Sequence, residues 1–247
     1  KEYNMIPVCK EIYADIVTPI TLLRRLKEID NRYYLLESVE GGKQWGQYSF
    51  LGVSPLLQIS CKDGVVRMKS GAMVTEQKQD AYEALRNLIA QYHSPSIPGM
   101  PSFTGGLVGY FSYEMIGYAE SKLHLKKSDF DDYKLMLFDK VIAYDHLKQK
   151  ISVIANYRSE DGEKGYKKAL LEIEKMIHLI QDTTPLAKEQ ADQNVEFTCN
   201  LSKEEYCNMV EQTKHYIREG DIFQGVISRR FEADYKGSLI NTYRVLR

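Results

Sequence analysis

The sequence predicts an α+β protein of mainly antiparallel sheets packed as a sandwich with helices outside, and three observations carry that class. Strand signals come in runs rather than alternating one for one with helices, which argues against a doubly wound fold. Pairs of strand signals are joined by short polar turns, Lys62-Asp63-Gly64 and "LKQK", as antiparallel hairpins require. The helical segments each carry one apolar stripe, enough to cover one face of a sheet.

Taken in order, "TPITLLRRLKEI" has Thr18 as an N-cap and Pro19 in the first turn, with Ile20, Leu23 and Leu26 on one face. A buried strand opens at "YYLLE", followed by "YSFLGVS" and the hairpin "LLQISCKDGVVRMKS". Asp80 and Glu83 form a capping-box pattern before Leu85, Leu88 and Ile89, and that helix stops ahead of "SPSIPGMPSF". Glycines 105, 106, 109 and 117 within "TGGLVGYFSYEMIGY" suit a strand with bulges or with another backbone close by. "YKLMLFDKVIAYDH" and "KISVIANY" are the next two strand signals. A long helix follows, with Tyr166, Leu170, Ile173, Ile177 and Ile180 at helical spacing.

The polar run "TTPLAKEQADQNVE" lacks periodicity and is the expected linker, which divides the chain into 1–195 and 196–247. Beyond it, Ser202 and Glu205 form a second capping box for a helix ending at Gly220. That helix presents Tyr206, Met209, Val210, Thr213, Tyr216 and Ile217 on one face. "DIFQGVISRRFEADY" reads as a strand, and "SLINTYRVLR" begins like a helix.

Composition narrows the function. Thirty-three basic against 34 acidic residues leave a net charge of −1, so no global field favours nucleic acid or an anionic membrane. No apolar run approaches the ~20 residues that span a bilayer. Cys9, Cys61, Cys199 and Cys207 form no Cys-x-x-Cys pair, and a reducing cytoplasm is the expected compartment.

Several chemical readings fail on detail. "GGLVGY" lacks the spacing of a phosphate loop, and sheet packing is the better account of its glycines. "DFDD" from Asp129 to Asp132 lacks the glycine and terminal glutamate of a calcium loop. The five histidines show no metal-ligand spacing, and no serine sits in a nucleophile elbow. Two places remain. Gln224 lies within an otherwise apolar strand signal, where a buried amide without a partner costs ~1–3 kcal/mol. Glu37 and Ser38 end a buried strand, and a carboxylate there calls for a cation, either a side chain of the protein or the ammonium of a ligand.

Taken together, "YYLLESVEGG…YSFLG", "FTGGLVGYFSYEM", "LFDKVIAYDH" with "ANY", and "YIREGDIFQGVISRRF" with "YRVLR" resemble the anthranilate synthase component I family, in order and over nearly the whole chain. The resemblance implies conversion of chorismate and ammonia to anthranilate and pyruvate with Mg²⁺, the ammonia coming from a glutamine amidotransferase subunit, component II. It implies that Leu36, Glu37 and Ser38 contribute to an allosteric tryptophan site, and that Gln224 lies at the chorismate pocket. Water-adding relatives carry lysine at the latter place, so an amide there favours amination over hydration.

There are departures from the pattern. Gln47 stands where the family commonly has arginine, and Gly225 where valine is usual. The resemblance also implies that the chain stops short of the "PSPY" segment and most of the catalytic domain, with the Mg²⁺ ligands beyond Arg247. The 247-residue chain is therefore expected to be inactive alone. The alternatives are aminodeoxychorismate synthase component I, disfavoured by Val226, and a non-catalytic amino-acid-binding module.

Overall fold

The computed structural model describes residues 3–37, 46–120, 122–123, 125, 128–190 and 195–247. In a first unit, Lys1–Leu186, the chain runs β1 (Met5–Tyr13), α1 (Pro19–Ile29), β2 (Tyr33–Glu37), β3 (Tyr48–Val53), β4 (Leu57–Lys62), β5 (Val65–Ser70) and β6 (Met73–Lys78). It continues as α2 (Ala81–Ile89), β7 (Gly106–Phe111), α3 (Ile116–Ala119), β8 (Tyr133–Phe138), β9 (Lys140–Asp145), β10 (Lys150–Arg158) and α4 (Gly162–Gln181). The second unit, Ala187–Arg247, holds β11 (Thr198–Cys199), α5 (Lys203–Glu219), β12 (Phe231–Glu232) and α6 (Ile240–Leu246). The boundary between the units falls inside the polar run after α4.

Local chemistry sets the element ends. Thr18 Oγ1 accepts the Thr21 N–H and Asp80 Oδ1 accepts the Glu83 N–H, capping α1 and α2. At α5 the capping box is complete, since Ser202 Oγ accepts from Glu205 N and Glu205 Oε2 accepts from Ser202 N. Asp63 and Gly64 both take positive φ, 50° and 75°, which is the two-residue turn that matches the twist of the β4–β5 hairpin.

The first unit contains two antiparallel five-stranded sheets, in the orders β1-β10-β9-β3-β2 and β6-β5-β4-β8-β7. α1 and α4 cover one face of the first sheet, where Leu22, Leu26, Ile173 and Ile177 bury against Leu51, Ile142, Ile151 and Val153. α2 covers the second sheet, with Ala81, Leu85 and Leu88 over Ile59, Cys61, Val66 and Leu135. Aromatic rings join the sheets. Tyr34 of β2 meets Phe138 of β8 edge-on at 4.7 Å, and Phe50 of β3 meets Phe103 at 5.6 Å. The sandwich with helices outside is thus the observed architecture.

Some elements differ from expectation, each for a physical reason. "YKLMLFDKVIAYDH" is two strands in different sheets rather than one. The chain turns a corner at Asp139, whose carbonyl accepts both the backbone N–H and Nδ2 of Asn156, while the same Nδ2 donates to Thr104 O at 2.7 Å. β1 and β6 gave no strand signal. β1 is an edge strand that accommodates Pro7 and alternates in burial only over Met5–Val8, and β6 is exposed along its whole length, so neither carries a sustained inside–outside alternation. On α4 the buried stripe is Gly165, Ala169, Ile173, Met176, Ile177 and Ile180, with Tyr166 left exposed beside it.

In the second unit, "DIFQGVISRRFEADY" forms a ladder only at Phe231–Glu232, which pairs with Thr198–Cys199. The residues before it lie along α5 instead, where the Tyr206 hydroxyl donates to Ile227 O. A Cβ on Gly225 would sit 2.8 Å from Thr213 Cγ2, so this glycine lets the segment approach the helix rather than weakening a strand. The apolar face expected on α5 is only partly covered within this unit, with Met209, Tyr216 and Ile217 exposed.

Candidate functional site

β2 ends at Glu37, and strand pairing decides what that carboxylate meets. Glu37 lies opposite Ser49 of β3, and Ser49 in turn lies opposite Tyr144 of β9, so the three side chains share one face of the first sheet. Ser49 is fully buried. Its Oγ donates to Glu37 Oε2 across 3.4 Å and sits 2.7 Å from His146 Nε2. The His146 ring leans on Tyr144, with centroids 4.8 Å apart.

A second polar cluster holds the adjoining edge. The Asp145 carboxylate is buried, and it accepts from Gln47 Nε2 at 2.9 Å and from the N–H groups of Leu147 and Lys148. Burial pushes its pKa up, but these donors outweigh burial and leave it below the ordinary aspartate value. Gln47 O also accepts the His146 N–H at 2.8 Å, so the residue standing at the arginine position ties the β3 and β9 ends together.

Of the sequence-predicted residues, Leu36 is half-exposed and leaves the opposite face of β2 from Glu37, beside Phe50. Ser38 lies outside the described residues. Gln224 is in the second unit and is exposed, which corrects the premise of a buried amide in a strand. Nothing there requires a hydrogen-bond partner on desolvation grounds.

Ser49, His146 and Asp145 were missed by sequence reasoning. The signal that could have found Ser49 is its parity, because it is a hydroxyl on the same side of its strand as Leu51 and Val53. The Glu37–Ser49–His146 arrangement does not make a nucleophile. The hydroxyl stands between acid and base, and it is shut off from solvent. What the buried hydroxyl does is orient the Glu37 carboxylate. Among the described residues no set of three or more His, Cys, Asp or Glu converges to hold a metal ion.

Fold and cluster define the class: a two-sheet α+β protein with a polar cluster at one end of its first sheet. The chain belongs to the chorismate binding enzyme family, which it matches over residues 31–247. It is 36% identical to anthranilate synthase component 1 of Acetivibrio thermocellus, covering 100% of this chain and 52% of the relative. It is 34% identical to the protein of the same name from Acinetobacter calcoaceticus, covering 99% and 50%. The crystal structure of anthranilate synthase component I from Streptococcus pneumoniae TIGR4 superposes with a TM-score of 0.66 at 25% identity, over 96% of this chain and 52% of that one. The chain spans about half the length of the curated relatives it matches.

Proposed function

We propose that the chain is a portion of component I of an anthranilate synthase, which converts chorismate and ammonia to anthranilate and pyruvate and is inhibited by tryptophan. The observation that supports this reading most is similarity to relatives of that name over the whole of this chain and about half of each relative, together with a carboxylate, Glu37, at the end of a sheet strand. In this reading residues 1–195 are the regulatory and scaffold domain, and 196–247 open the chorismate-binding domain. Leu36, Glu37 and Ser38 meet tryptophan, and Gln224 faces the chorismate pocket, its amide leaving ammonia as the nucleophile. An inhibitor bound at Glu37 acts by favouring one conformation of the enzyme over another, and the ratio of its two affinities sets the inhibition. Mg²⁺ supplies electrophilic stabilisation in the complete enzyme, and a glutamine amidotransferase subunit supplies ammonia. The 247-residue chain alone does not turn over chorismate in this reading.

The test is a chimera in which this chain replaces the matching part of the Acetivibrio thermocellus relative. With chorismate, ammonium and Mg²⁺ it is expected to produce fluorescent anthranilate, with turnover inhibited by tryptophan. Glu37→Gln is expected to raise the inhibitory tryptophan concentration at least tenfold while turnover persists. A non-fluorescent amination product, or turnover indifferent to tryptophan, overturns the reading.

A further inference from the structure

We propose that the cleft where β8 turns into β9 binds a free α-amino acid with a large apolar side chain, its ammonium received by Asp139 and its carboxylate by Arg158. The proposal is independent of the effector reading of Glu37. Glu37 stands level with Ser49 and Tyr144, near the far end of β9, whereas Asp139 immediately precedes that strand. From Asp139 to Tyr144 the chain runs ~17 Å along the sheet, so the two places are distinct.

Two adjoining hollows, of about 310 and about 60 Å³, form the cleft and share Met5, Leu56, Tyr92, Asp139 and Asn156. α4 closes one side with Gly165, Lys168, Ala169 and Glu172, whose spacing of three and four places them on one flank of the helix. The larger hollow has the volume of a compact small-molecule site. Its charges are balanced, with Lys140, Arg158 and Lys168 set against Asp139, Asp161 and Glu172. A ligand of one sign is attracted by one set and repelled by the other. A zwitterion matches both.

Which of these groups are already engaged decides the polarity. Glu172 accepts from Lys175 Nζ at 2.7 Å. Asp139 Oδ1 is shut off from solvent and accepts no hydrogen bond, with Lys140 Nζ 3.4 Å away as its ion-pair partner. The 18% exposure that the Asp139 side chain keeps therefore lies away from Oδ1, and Oδ2 is the oxygen open to an ammonium donor. Arg158 is held in place, its guanidinium 4.7 Å over the Tyr92 ring and its Nη1 donating to Gln91 O at 3.1 Å. That bond uses one of five N–H donors, and a guanidinium fork matches a carboxylate. Lys168, exposed on α4, adds a second cation at that end. The spacing also fits. Asp139 O accepts the Asn156 N–H, and Arg158 follows two residues later on the same face of β10, ~7 Å along the strand. The ammonium and carboxylate of one α-amino acid, with a hydrogen bond at each end, span a similar distance. Met5, Leu56 and Leu57 supply the apolar surface for the ligand's side chain.

The test is isothermal titration calorimetry of the 247-residue chain with L-phenylalanine, L-methionine and L-leucine, with ¹H–¹⁵N spectra that follow the Asn156 side-chain amide. We expect saturable binding of at least one of the three and a shift of the Asn156 Nδ2 signals, since that nitrogen donates to Asp139 O. For the amino acid that binds, masking the ammonium as the N-acetyl derivative, or removing the carboxylate to leave the amine, is expected to weaken binding at least tenfold. This arm uses the unaltered chain, so it does not depend on a variant folding. Asp139→Asn and Arg158→Gln are each expected to weaken binding at least tenfold, while Glu37→Gln stays within twofold of wild type. Saturation by none of the three amino acids, undiminished affinity for either derivative, or binding lost in Glu37→Gln and kept in Asp139→Asn overturns the proposal.

Discussion

Replacing Gly109 with alanine tests whether the glycines of "GGLVGY" serve sheet packing. A Cβ at this position would lie 2.0 Å from Lys134 O and 2.8 Å from Leu135 Cα, both backbone atoms of the partner strand β8. Ordinary contact begins at 3.4 Å, so β7 would have to retreat from β8 by more than the slack in a hydrogen bond. β7 pairs with β8 alone, and retreat forfeits the neighbouring ladder bonds. Overpacking of this kind costs ~1–3 kcal/mol, and each lost bond adds ~1 kcal/mol, giving about 3 kcal/mol in total. Equilibrium urea unfolding followed by circular dichroism should show a midpoint lowered by ~1.5 M at a slope of ~2 kcal/mol/M. Two controls separate the causes. Gly64→Ala meets open space at φ +75°, so it is expected to lose ~1 kcal/mol from backbone strain alone. Gly117→Ala meets only Leu125 Cδ1 at 3.4 Å and is expected to stay within ~0.5 kcal/mol of wild type. If Gly109→Ala unfolds at the same midpoint as Gly117→Ala, close backbone approach is not why glycine is there.

Asn156→Ala removes the two Nδ2 bonds that hold the β8–β9 corner, and is expected to cost ~2–3 kcal/mol in the same unfolding assay. Asn156→Asp should cost more at pH 7, because a carboxylate oxygen would face the carbonyls of Thr104 and Asp139, and part of the loss should return as acid protonates it. The bidentate bond from Arg32 holds the Asp30 carboxyl down to about 2, so it contributes stability above the unfolded aspartate value of ~3.9 that is lost as pH falls through the folded value. With Arg32 partly exposed, Asp30→Asn should flatten the acid-unfolding curve between about pH 4 and 2 by only ~1 kcal/mol.

The fold was legible wherever a local rule acted alone. Thr18, Asp80, Ser202 and Gly220 mark helix ends because capping needs only residues a few positions apart. The Asp63-Gly64 turn is legible for the same reason. The β8–β9 corner was hidden because both strands are apolar, and what divides them is a side chain, Asn156, that arrives from β10. β6 was hidden because an edge strand exposed on both faces has no pattern to read. The strand expected after Gly220 failed for the opposite reason. Its apolar alternation is present, but a strand exists only with a partner, and within its unit just two residues find one.

The site follows the same logic one level up. "LES" invites a reading in which three consecutive residues meet one ligand, yet extended backbone sends Leu36 and Glu37 to opposite faces. What gathers around Glu37 instead comes across the ladder, Ser49 from β3 and His146 from just past β9, at separations of 12 and 109 positions in the chain. A carboxylate ending a strand is visible in sequence. Its orientation is not, because that depends on register, and a slip of one residue would turn Ser49 to the far side and break the Ser49–Glu37 hydrogen bond. The same β3 alternation that buries Leu51 and Val53 in the core therefore aims the residue on which the proposed tryptophan response depends.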